Sequence, residues 1–89
     1  MIKLHPANSF KRDMKKQSLE LFLTVEWNEV TNALMNGKAM KEKYCDHELK
    51  GKWLGFRECH IKPDLLLIYK KRDNCIQLVR IGSHSELYG

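Results

Sequence analysis

Four histidines, His5, His47, His60 and His84, are the side chains of this sequence best suited to moving protons near neutral pH, because an unperturbed imidazole titrates near ~6.5. His5 adjoins Pro6 and is assigned no role. The other three keep more useful company: His47 follows Asp46 in a loop, His60 falls between Glu58 and Asp64, and His84 follows Arg80 at a short distance. A carboxylate can take a proton or orient an imidazole. An arginine can make two parallel hydrogen bonds to phosphate oxygens. This set meets the needs of RNA cleavage. One group removes the proton of a ribose 2′-hydroxyl, which attacks the adjacent phosphate; a cation steadies the added charge; another group protonates the departing 5′-oxygen. Each part is present and no step calls for a metal or other cofactor. A lone histidine is more often a surface or structural residue, so the weight rests on three of them standing with Glu58, Asp64 and Arg80.

Structural zinc is the main competing use of these residues, since Cys45 is close to His47 and Cys59 adjoins His60. Neighbouring residues on a strand point to opposite faces, so Cys59 and His60 are poorly placed to share an ion. Neither CxxC nor HxxxH spacing occurs. Phosphate-cradling glycine loops and the GxSxG nucleophile elbow are also missing. Ser83 next to His84 is adjacency in sequence and does not establish a nucleophile–base pair.

The elements that must position these residues change character halfway along the chain. Met1 to Leu4 can form a short strand ended by Pro6. Helical spacing follows from Ser9 to about Leu23, with Asn8 or Ser9 as cap and Phe10, Met14 and Leu21 near one stripe. Lys11, Arg12, Lys15 and Lys16 mark its polar side, either a solvated face or an RNA contact. Trp27, Val30 and Leu34 define a second helix from Val25 to Met35, with Thr24 as cap, Gly37 past its end and Trp27 in the core. Lys38 to Asp46 reads as a polar connection. From Trp53 the period becomes two: Leu54, Phe56, Glu58 and His60 share one strand face, Arg57 and Cys59 the other. Leu65–Lys70 and Cys75–Ile81 complete three strands joined by turns at Lys62-Pro63-Asp64 and Lys71–Asn74. Gly82 stops the last one, and Ser83 with Glu86 forms a capping box for a short terminal helix or turn. The predicted architecture is α+β, in the order β-α-α-β-β-β, with two helices on one face of a small, mainly antiparallel sheet. Glu58, His60 and Arg80 could project from the face left partly open.

Bulk properties bound the answer. A chain of 89 residues has material for one core, so residues 1–89 form a single domain. Sixteen Lys and Arg oppose eleven Asp and Glu, for a net charge of +5 and a pI near 9.2, which favours a polyanionic partner or an acidic protein covering the same surface. The longest apolar run, Leu65 to Tyr69, is far short of the ~20 residues of a membrane span. No apolar signal-peptide core follows Met1, and three scattered cysteines point away from a disulfide framework. The expected location is the cytoplasm.

Three segments carry a family resemblance. Asp46-His47-x-Leu49-x-Gly51-x-Trp53, Arg57-Glu58-x-His60-x-x-Pro63-Asp64 and Arg80-x-Gly82-Ser83-His84 occur in order and, with their flanks, cover about half the chain. They resemble the YafQ branch of the RelE/ParE toxin superfamily. The resemblance implies a RelE-like fold and an mRNA interferase, the toxin of a bacterial type II toxin–antitoxin pair. It implies cleavage of mRNA in the A site of the 70S ribosome by metal-independent 2′-hydroxyl attack. His47, His60, Asp64 and His84 fall on the family's catalytic positions. Arg80 falls where phosphate is contacted, with Glu58, Arg57 and Tyr88 in support; the family pattern usually has Phe where this chain has Tyr88, and a phenol can still stack on a base. His84 is expected as general acid, Asp64 or His60 as base, and His47 as an aid to phosphate or charge. The implied partner is a DinJ-like antitoxin that covers basic surface, with operator DNA engaged only through that complex. A ParE-like toxin acting on gyrase and a non-catalytic RNA-binding module are the alternatives; a gyrase binder has no need of convergent imidazoles, and an RNA-binding module would not depend on His84.

Overall fold

Alternation after Gly55 builds the centre of the molecule. The computed structural model describes all of residues 1–89. Three long strands, β3 (Arg57–Lys62), β4 (Leu65–Lys71) and β5 (Cys75–Gly82), pair antiparallel in sequence. β1 (Lys3–Pro6) adds parallel to β5, and the two-residue strand β2 (His47–Glu48) adds antiparallel to β3. The sheet order is β1-β5-β4-β3-β2. β4 is the central strand, and Leu66 to Tyr69 are buried on both faces.

One face carries the main core. Cys59, Ile61, Leu67, Tyr69, Ile76, Leu78 and Ile81 meet Phe10 of α1 (Asn8–Met14), Leu21, and Val30 and Leu34 of α2 (Val25–Met35). The α2 boundaries are those expected: Thr24 accepts from the Trp27 N–H, and Gly37, at φ +62°, ends the helix in the left-handed region. Trp27 packs against this core. The other face is covered thinly. Leu66 and Ile68 meet Leu87 of α3 (His84–Tyr88), with Leu49, Trp53, Phe56 and Val79 around them.

Four expectations need correction. The first helix stops at Met14, and a separate 3-10 turn spans Leu19–Leu23. The apolar stripe lapses at Gln17 and Ser18, so nothing would hold another α-helical turn to the sheet. Neither Asn8 nor Ser9 caps it; Ala7 stands at that position, and the Ser9 hydroxyl donates instead to the Val79 carbonyl on the edge of β5. The strand expected from Trp53 begins only at Arg57, because Gly51–Trp53 forms a 3-10 turn and Gly55 takes φ +94°, a backbone conformation that a β-strand cannot contain. His47 lies in β2 rather than in a loop.

Candidate active site

β3 supplies the base of the site through strand parity. Glu58 and His60 point to the thinly covered face, opposite Ile68 and Leu66 of β4, whereas Cys59 is fully buried among the helices. The pairing of β2 with β3 sets His47 opposite Glu58. The turn after Pro63 brings Asp64 to the start of α3, where His84 is the first helical residue. The imidazoles thus form a row, with ring centroids 6.3 Å apart for His47 and His60 and 5.6 Å apart for His60 and His84.

Hydrogen bonds set the orientation of each ring. Asp64 Oδ1 accepts from the His84 backbone N–H at 2.9 Å and lies 2.6 Å from His84 Nδ1. A carboxylate oxygen only accepts, so Nδ1 carries a proton and Nε2 is left for exchange with a substrate. The same two bonds, the backbone one foremost, hold the Asp64 carboxyl below its usual range. His47 Nδ1 lies 2.7 Å from the Cys45 carbonyl, which likewise requires a proton on Nδ1. Cys45 itself sits at φ +50°, the backbone bend that turns its carbonyl towards His47.

Glu58 joins the row from beneath. Its side chain is 6% exposed, and Oε1 lies 3.3 Å from His60 Nε2 and 3.5 Å from His47 Nε2. The Tyr88 hydroxyl, on the last residue of α3, donates to Oε2. Burial, and then the bond to this carboxylate, push the Tyr88 phenol well above its ordinary value, so it remains a donor across the neutral range. One buried carboxylate therefore connects β2, β3 and α3.

The supporting arginines part company. Arg80 shares a cross-strand row with Ile68 and Glu58, and its Nε and Nη2 bind Asp13 of α1 at 2.7 and 3.1 Å. Arg57 lies on the other face with Cys59, where the strand period placed it, and so apart from the phosphate contact it was expected to support. It pairs with Asp46 at 3.2 Å and Glu48 at 3.6 Å, and Asp46 also accepts from the Tyr69 hydroxyl. Odd-numbered positions of β3 face the helices, so parity with Cys59 decides its place. Asp13 and Asp46 were given no role from sequence. Asp13 had a readable signal: it is the one acid amid Lys11, Arg12, Lys15 and Lys16, three residues from Phe10 on the buried face of α1. No group of three or more His, Cys, Asp or Glu side chains is arranged to hold a metal ion. Asp64 and Cys45 occupy one nitrogen each of His84 and His47, and Tyr88 occupies Glu58.

Solved toxins share this architecture. The chain superposes on a copper-bound mutant toxin from Helicobacter pylori with a TM-score of 0.88 at 45% identity, covering 99% of this chain and 100% of that one. The Escherichia coli DinJ–YafQ complex matches with a TM-score of 0.79 at 26% identity, covering 100% of both chains. In sequence, the mRNA interferase toxin YafQ of Escherichia coli K12 is 38% identical over 60 residues, which span 67% of this chain and 65% of that protein. Residues 2–89 match the family described as the bacterial toxin of type II toxin–antitoxin system, YafQ. The chain belongs to the YafQ toxin family.

Proposed function

We propose that this chain is the toxin of a type II toxin–antitoxin pair and an endoribonuclease that cuts mRNA in the ribosomal A site. The single observation that carries the chemistry is the row of three imidazoles, each oriented through a ring nitrogen by a fixed acceptor. His60, donating Nε2–H to Glu58, keeps its lone pair on Nδ1 and serves as general base for the 2′-hydroxyl. Asp64 is the weaker choice for that task because both of its bonds go to His84. The 2′-oxygen forms a bond to phosphorus as the bond from phosphorus to the 5′-oxygen breaks. His84, as the imidazolium, gives its Nε2 proton to that leaving oxygen, while Asp64 accepts from Nδ1–H, stabilises the positive ring and leaves the neutral Nδ1–H tautomer behind. His47, when protonated, adds positive charge beside the phosphate. Arg80 contributes through the edge of its guanidinium not bonded to Asp13. The products are a 2′,3′-cyclic phosphate and a 5′-hydroxyl.

The partner that follows from the family is a DinJ-type antitoxin, as in the Escherichia coli complex. It would cover basic surface of a chain carrying +5, and operator DNA would be met only through that complex. The place of action is then the cytoplasm; no helix is long and apolar enough to cross a membrane.

Induction of the wild-type and His84→Ala proteins, with growth followed and mRNA 5′-ends mapped, tests the reading. Loss of a general acid should slow cleavage by ~10²–10⁴-fold and relieve growth arrest. Undiminished cutting by the alanine protein would remove His84 from its role. Arrest without new mRNA ends, together with gyrase-linked DNA damage, would replace the ribonuclease by a gyrase poison.

A further inference from the structure

A groove of roughly 630 Å³ opens beside the histidine row. Of the four cavities in the surface it alone includes one of the clustered imidazoles, His60. It also includes Cys45, whose carbonyl holds His47, but neither Asp64 nor His84. The groove therefore adjoins the site at His60, the expected base, and does not include the expected proton donor.

Its lining has the chemistry of a polyanion contact. Lys43 and Lys62 oppose a single carboxylate, Glu26. Lys43 is partly engaged: its Nζ is 3.9 Å from Glu29 and lies over the Tyr44 ring at 5.2 Å. Lys62, exposed at the last position of β3, has no carboxylate at ion-pair distance. Tyr44 is 2% exposed and Lys43 covers it, so the groove offers no aromatic platform on which a base could stack. A backbone phosphate fits this lining better than a base does.

Direction follows from the chemistry assigned to His60 and His84. If His84 protonates the 5′-oxygen, the downstream nucleotide departs at the His84 end. The nucleotide bearing the attacking 2′-hydroxyl then lies over His60, and its own 5′-phosphate enters the groove that His60 lines. Resting on the cleavage reading above, we propose that this groove is an RNA subsite in which Lys62, aided by Lys43, binds the phosphate one position upstream of the cut. The subsite fixes the register of the strand over the histidines and reads no base.

The test uses ribosome-bound mRNA whose cut position has been mapped with the wild-type protein. One message carries a single uncharged methylphosphonate linkage immediately upstream of the cut, another carries it immediately downstream, and a third is unmodified. Lys62→Ala should slow cutting of the unmodified message by about 3- to 10-fold, the range of a solvent-accessible charge contact to phosphate. Upstream neutralisation should slow the wild-type protein similarly and have little further effect on Lys62→Ala. The downstream change should affect both proteins alike, Lys62→Arg should restore the rate, and codon preference should not move. Full, independent multiplication of the Lys62→Ala and upstream effects would overturn the subsite, as would a wild-type rate indifferent to the upstream charge. A wild-type protein unable to cut the unmodified message would instead overturn the cleavage reading, and the subsite with it.

Discussion

Glu58 concentrates the demands of the site in one residue. Its carboxylate is buried, no lysine or arginine is paired with it, and its neighbours are His47, His60 and the Tyr88 hydroxyl. A buried anion needs several donors to remain in place, and the tyrosine supplies one that does not titrate near neutrality. Tyr88→Phe restores the residue usual in the family resemblance and removes that donor. Stability to denaturant should fall by about 1–2 kcal/mol. Cleavage should stay within roughly ten-fold of wild type, because His60 remains bonded to Glu58 and the ring remains available to the substrate. Chemical unfolding and mRNA cleavage measured on the same preparation check both halves. A large loss of cleavage with unchanged stability would make the hydroxyl a direct participant. Glu58 and His60 were readable together on one strand face from its period, but which face is open was not; nor was the reach of Tyr88 back to Glu58, since the contact joins residues thirty positions apart through the packing of Leu87 on the sheet.

At the level of elements, the features set by local chemistry were legible and those set by distant contacts were not. Thr24, Gly37 and the Ser83–Glu86 box each stand where the sequence places them, because a cap needs only its own turn. The length of α1 and the pairing of β2 depend on surfaces elsewhere. β1 pairs with β5 only as far as Leu78, and the start and side of α1 satisfy the edge beyond it. Ala7 N–H donates to the Leu78 carbonyl, Ser9 to the Val79 carbonyl, and Asp13 accepts from the Ile81 N–H as well as from Arg80. Asp13 is thus the clasp between helix and sheet. Burial raises its pKa, but the Arg80 and Ile81 bonds and the nearby positive charges outweigh this and leave the carboxyl below its usual value. A carboxyl depressed in the folded state stabilises the fold above its unfolded pKa of ~3.9, and that contribution disappears as pH falls through the folded value. Asp13→Asn should therefore lower stability by about 2 kcal/mol at pH 7. Wild type and variant should converge as the pH is taken from about 4.5 towards 2.5. Thermal or urea unfolding across that range is the measurement, and a gap unchanged by acid would show that the carboxylate charge is not what holds α1 to β5.

Across the whole molecule, charge and fold divide the labour between the two faces. The helix-covered face holds twelve buried core residues, whereas the site's face rests on a floor of three. Stability thus comes chiefly from the side away from the histidines, which leaves the site's face open. The long-range field is general: Lys11, Arg12, Lys15, Lys16, Lys50, Lys52 and Lys62 are all exposed. Such a field raises encounter with a polyanion without choosing a sequence. Binding to ribosomes or to single-stranded RNA should accordingly depend on salt with the slope of counterion release. About four phosphate contacts imply an affinity loss on the order of 50-fold between 50 and 200 mM monovalent salt. Lys62→Ala should make that slope shallower by roughly one contact, and His84→Ala should leave it unchanged, because a proton donor shielded by Asp64 adds little fixed charge. Cosedimentation with ribosomes over a salt series separates the two variants. A flat salt dependence for the wild-type protein would place recognition in shape and apolar contact rather than in the +5 charge that first pointed to a polyanion.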